Sequence, residues 1–87
     1  MKIKEGYKLR EVAGNYIVVA TGKASKEFNG MINLNETGAL LWRTLEKGAE
    51  EKDLINALLA EYEVDEATAT TGVKAFIEKV VGAGFVE

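Results

Sequence analysis

The chain has no cysteine, no histidine and no proline among its 87 residues. Without cysteine it can form no disulfide, thiolate metal site or thiol nucleophile, a pattern that fits a reducing compartment. Without histidine it lacks the commonest general base and the commonest metal ligand. Without proline it has none of the residues that most often end helices and blunt the edges of sheets. Long apolar runs are missing too. No segment approaches the ~20 uninterrupted apolar residues of a membrane span, and the start, MKIKEGYKLREV, carries charge but no apolar signal-peptide core. A cytoplasmic protein with no membrane partner is expected, and the length suits a single domain over residues 1–87.

What is present divides by charge. Residues 1–30 carry six basic side chains (Lys2, Lys4, Lys8, Arg10, Lys23, Lys26) against three acidic ones, a balance of +3. Residues 31–87 carry five basic against eleven acidic, a balance of −6. The sum is the net −3 of the chain, a surface of both signs with a basic front and an acidic back.

The first third alternates like β structure. Tyr7, Leu9 and Val12 lead into the turn residues Ala13, Gly14 and Asn15, and Tyr16 to Thr21 is rich in β-branched and aromatic residues. That spacing predicts a hairpin. Gly22 to Glu27 reads as an exposed connection and Asn29-Gly30 as a second turn, leading to a third strand at Met31 to Leu34. Neighbouring strands on short links usually pair, so a three-stranded antiparallel meander is expected.

The period then changes from two to 3.6 with almost no intervening loop. Asn35 stands where an N-cap belongs, and Ala39, Leu40, Leu41, Trp42 and Leu45 recur at helical spacing up to the Lys47-Gly48 stop. A second helix spans about Glu50 to Tyr62, with Leu54, Ile55, Leu58, Leu59 and Tyr62 as its apolar stripe. A third starts after an Asp65 cap and runs to about Val81, with Val73, Phe76, Ile77 and Val80 as core candidates. Phe85-Val86 is an apolar tail expected to fold back on the core, and Trp42, between Leu41 and Leu45, is expected inside it. The fold class is α+β, three strands followed by three helices.

Catalytic equipment is thin. The acidic pairs Glu50-Glu51, Asp65-Glu66 and Glu61 with Glu63 sit at helix ends or on polar faces, where dipole compensation and solubility explain them. Gly82-Ala-Gly84 ends a helix, whereas a phosphate cradle opens one. No enzyme activity, metal or cofactor is expected. The small flank Thr68, Ala69, Thr70, Thr71, Gly72 on the third helix allows two readings: close packing against another helix, or a shallow groove for another chain.

The third strand is an edge strand with neither proline nor charge to protect it, which points to peptide binding by strand addition. The same edge could join two copies in a homodimer. The outline also fits a winged-helix regulator that touches DNA through its basic hairpin, but Lys74 and Lys79 on the third helix face competition from Asp65, Glu66 and Glu78, and the second helix is acidic, so nucleic acid is the disfavoured partner.

The run from Asn33 to Trp42, the Lys47-Gly48 stop, Leu54 to Tyr62, then Val73, Phe76, Ile77, Val80, Gly84 and Phe85-Val86 resembles the PqqD family, pyrroloquinoline quinone biosynthesis protein D. The similarity covers most of the chain, and its most specific part is the element around Leu34-Asn-Glu-Thr-Gly-Ala-Leu-Leu-Trp42. It implies a RiPP recognition element: a winged-helix-like, non-catalytic domain that binds the leader of a ribosomally made precursor peptide and presents it to a modifying enzyme, often a radical SAM protein. It further implies that the leader adds beside the third strand and rests against the third helix. The positions carried over are Met31, Ile32, Asn33 and Leu34 for the backbone ladder, and Ala69, Gly72, Val73, Phe76 and Lys79 for the groove wall. Many members of the family have an acidic residue where this chain has Gly72. If the edge is the site, Ile32→Pro, by deleting a backbone donor, is expected to weaken peptide binding far more than Lys23→Ala.

Overall fold

The computed structural model describes residues 1–22 and 31–87, and of Met31 the backbone alone. The expected connection up to Glu27 and the Asn29-Gly30 turn fall outside the described residues, apart from Gly22. Strands β1 (Tyr7–Val12), β2 (Asn15–Ala20) and β3 (Met31–Leu34) are followed by helices α1 (Glu36–Glu46), α2 (Glu51–Glu61) and α3 (Glu66–Gly82). The strands form one antiparallel sheet in the order β1-β2-β3, the expected meander. Each helix starts or stops within a residue or two of its predicted bounds.

The β1–β2 hairpin is a two-residue turn, because Val12 pairs with Asn15 across Ala13 and Gly14. Both turn residues have positive φ, 51° at Ala13 and 81° at Gly14, the pattern of a type I′ turn, whose twist matches that of the strands. Glycine adopts this conformation freely and alanine does not, so Ala13 holds strain on the order of 1 kcal/mol. Ala13 is exposed, leaving a replacement free of packing cost. Ala13→Asn is expected to raise stability by about 0.5–1 kcal/mol in urea denaturation, since asparagine tolerates the left-handed region.

One face of the sheet bears Tyr7, Leu9, Tyr16, Val18, Ala20, Ile32 and Leu34, all packed on the core. The three helices cover that face. Trp42, Leu41 and Leu45 of α1, Leu54 of α2, Val73 and Val80 of α3, and Phe85 lie at 2 % exposure or less. Fully burying side chains of this size contributes about 1.5–3 kcal/mol each. The α2 stripe is narrower than its spacing predicts: Leu54 and Leu58 are buried, Ile55 and Tyr62 are half-buried, and Leu59 is exposed.

The chain ends close on one another. Ile3 bridges Val86, Lys4 N–H donates to Phe85 O at 2.8 Å, and Glu87 N–H donates to Lys2 O at 2.9 Å. This pairing presses Phe85 into the core, where its ring stands edge-on to Trp42 at 5.7 Å and tilted against Tyr7 at 4.6 Å. Among the described residues, no helix is long and apolar enough to cross a membrane.

Candidate functional site

The join between β3 and α1 sets the site. Asn35 has φ −80° and ψ 179°, so the N-cap occupies the same extended basin as the strand before it and no loop is needed. Its Oδ1 accepts from Gly38 N–H at 2.8 Å and from Thr37 Oγ1 at 2.9 Å, and its carbonyl accepts from Ala39 N–H at 2.9 Å. The helix therefore begins as soon as the strand ends. Gly38 permits the tight reversal: a Cβ there would lie 3.1 Å from Asn35 Oδ1 and 3.3 Å from the Leu34 Cβ.

Register decides which β3 groups are open. In a two-residue hairpin the flanking pair, Val12 and Asn15, exchanges hydrogen bonds, so Asn15, Ile17 and Val19 turn their backbone groups to β1. Tyr16 and Val18 then turn theirs to β3, where they meet Leu34 and Ile32. Met31 and Asn33 are left facing away from the sheet. Asn33 shows this directly, for its carbonyl accepts from Lys79 Nζ of α3 at 3.2 Å. Of the four strand positions expected to form a ladder with another chain, the backbones of Ile32 and Leu34 are thus committed to β2. A proline at position 32 would break the sheet itself, and position 33 is the one that probes the edge.

Helix α3 packs against α2 and stands off from β3. It starts where Asp65 caps it, Oδ1 accepting from Thr68 N–H at 2.7 Å. Hydrogen bonds from the Thr68 side chain and then its backbone hold the Asp65 carboxyl below its ordinary pKa. Between α3 and β3 lies a cavity of about 600 Å³. Asn33 and Leu34 form one wall, with Asn35, Thr37 and Gly38 at the join, and Leu41, Leu58, Tyr62 and Val64 also line it. The opposite wall is α3, through Thr68, Ala69, Gly72, Ala75, Phe76 and Lys79. These six recur at three- and four-residue steps, the signature of one helical face. Burial, followed by the charges of Glu36 and Glu61 and by Tyr16, pushes the Tyr62 hydroxyl above its ordinary pKa.

Among the residues expected at the site, Asn33, Leu34, Ala69, Gly72, Phe76 and Lys79 line this cavity. Val73 does not: one residue beyond Gly72 it is turned by 100° into the core, at 0 % exposure. Ile32 is half-buried on the core face, and of Met31 only the backbone is described. The two readings of the small flank are separated by Gly72, where a Cβ would meet nothing within 4 Å. Close helix packing does not require that glycine; it opens onto the cavity. Thr68 and Ala75 could have been added from spacing, at four residues before and three after Gly72, whereas Leu41, Leu58 and Tyr62 come from other helices and carry no local signal.

The family model for Coenzyme PQQ synthesis protein D (PqqD) matches residues 15–86. This chain belongs to the PqqD family. The match takes in β2, β3 and all three helices, and so every wall of the cavity. Two solved structures share the fold of this PqqD-family chain. One is described as TbiB1 in complex with the TbiA(beta) leader peptide, 21% identical over 100% of this chain and 95% of that one, with a TM-score of 0.78. The other is lasso peptide synthetase B1 complexed with the leader peptide, 19% identical over 99% of this chain and 95% of that one, with a TM-score of 0.75. No curated protein matches the sequence.

Proposed function

We propose that this PqqD-family domain is a non-catalytic adaptor that binds the leader segment of a ribosomally made precursor peptide and presents it to a modifying enzyme. The observation that carries the reading is the apolar cavity running beside the open edge of β3. Such an edge offers a peptide backbone hydrogen bonds, and the cavity offers its side chains burial, the two parts of recognition by strand addition. Both structures of the same fold named above are complexes with leader peptides, which supports the same assignment. The exposed face of α2 carries Glu51, Asp53 and Glu61 against Lys52 alone, so phosphate would be repelled from that helix.

The test is a backbone amide titration by NMR with leader peptides from short reading frames beside the gene. Shifts are expected at Asn33 and along Thr68, Gly72, Ala75 and Lys79; saturable shifts elsewhere only would dismiss the site. A pair of prolines separates edge from fold. Asn33→Pro removes an outward N–H, keeps the sheet, and is expected to weaken the peptide at least tenfold. Ile32→Pro removes a bond to β2 and is expected to cost on the order of 2–3 kcal/mol of stability, read by denaturation.

A further inference from the structure

Resting on the adaptor reading, we infer that Lys79 caps the open edge of β3 in the free domain, is displaced by the arriving strand, and then selects a carboxylate on the bound peptide. Three observations lead there. The Lys79 ammonium reaches across the cavity mouth to Asn33 O, 46 residues away in sequence. That oxygen is one of the outward backbone acceptors with which an added strand must pair, so the peptide amide and the ammonium compete for it. The ammonium also lies where the peptide backbone would run. Strand addition therefore sets the cation free at the rim of the groove.

A freed ammonium needs a new partner, and the described residues that line the cavity supply none of opposite charge. Among the described residues, Lys79 is the only charged one lining the cavity. On its own helix the positions three and four residues away are Ala75, Phe76, Gly82 and Ala83, none of which carries charge. Among the described residues the one hydrogen bond of the Lys79 ammonium is the one to Asn33 O. A peptide with Asp or Glu at the strand position facing Lys79 restores the pair, and one with Lys or Arg there meets repulsion. The capping bond also masks an edge carbonyl that would otherwise be open to pairing with any strand, including a second copy of this chain.

The experiment uses the whole chain, wild type and Lys79→Glu, to select from a display library of random 20-residue peptides. Lys79 is exposed, so the substitution leaves the core intact. Wild-type selections are expected to enrich Asp or Glu at one fixed spacing from an apolar anchor, and Lys79→Glu selections to enrich Lys or Arg at that spacing. In a synthetic copy of one selected peptide, changing that carboxylate to its amide should weaken wild-type binding about two- to fivefold, the range for a partly exposed pair, and leave Lys79→Gln binding unchanged. Peptides that bind both proteins in the groove with the same residue preference overturn the role of Lys79 and leave the adaptor standing. If neither protein selects any peptide, both readings fall.

Discussion

Gly72→Phe is expected to raise the Kd for the peptide roughly ten- to a hundredfold without destabilising the domain. Gly72 lies on the α3 wall of the cavity, and a side chain built there meets open space in place of a neighbour. The phenyl ring would take the volume that a peptide side chain is proposed to enter. Full burial of one apolar side chain contributes about 1.5–3 kcal/mol, so its exclusion is expected to raise Kd roughly ten- to a hundredfold. Stability runs the other way. Glycine in a helix interior costs about 1 kcal/mol relative to alanine, and either replacement, alanine or phenylalanine, recovers part of it. Gly72→Ala serves as the graded companion, with a higher melting temperature and a smaller loss of affinity. Fluorescence anisotropy with a leader peptide that binds the wild type, beside thermal melts of all three proteins, reads both effects. A Gly72→Phe protein that binds as tightly as wild type would falsify the cavity as the site.

Trp42→Ala is expected to cost about 3–5 kcal/mol, the upper range for truncating a buried side chain. A domain of this length is stable by only about 5–10 kcal/mol, so the variant would stand near its unfolding threshold at 37 °C. Trp42 is fully buried and stands against Phe85, which the paired chain ends hold in place. Truncation therefore opens a cavity that α1 and the terminal segment would both have to collapse into. The ring has a second property: its Nε1 is buried without a hydrogen-bond partner among the described residues. An unsatisfied buried donor costs about 1–3 kcal/mol. Trp42→Phe removes that donor along with part of the ring, so its loss in urea denaturation is expected to be less than half that of Trp42→Ala. A Trp42→Phe loss as large as that of Trp42→Ala would contradict this expectation.

The elements themselves were legible in the sequence because their causes are local. Ala13-Gly14 marks a turn, Asn35 and Asp65 cap the helices that follow them, and the switch from alternation to 3.6-residue spacing after Leu34 marks the end of the sheet. The Trp42 core and the return of Phe85 onto it were legible for the same kind of reason, an apolar residue at the right phase of its element. Phase was also where single-sequence reading blurred. Val73 and Gly72 are neighbours in sequence, and only the rotation of α3 against its packing partners shows that one is core and the other cavity wall.

Two further features depended on distant parts of the chain. Which β3 backbones are open follows from the β1–β2 turn, since a two-residue loop at Ala13-Gly14 fixes the hydrogen-bonding parity across both strand pairs. The pairing of Lys2 and Lys4 with the C-terminal residues joins segments more than eighty residues apart in sequence. By itself the sequence determined the strands, helices, caps and apolar faces, because capping and periodicity act within a few residues. Only the tertiary structure decided the cavity and its lysine bridge, because a gap between β3 and α3 depends on how elements far apart in the chain pack, and no local pattern records that distance.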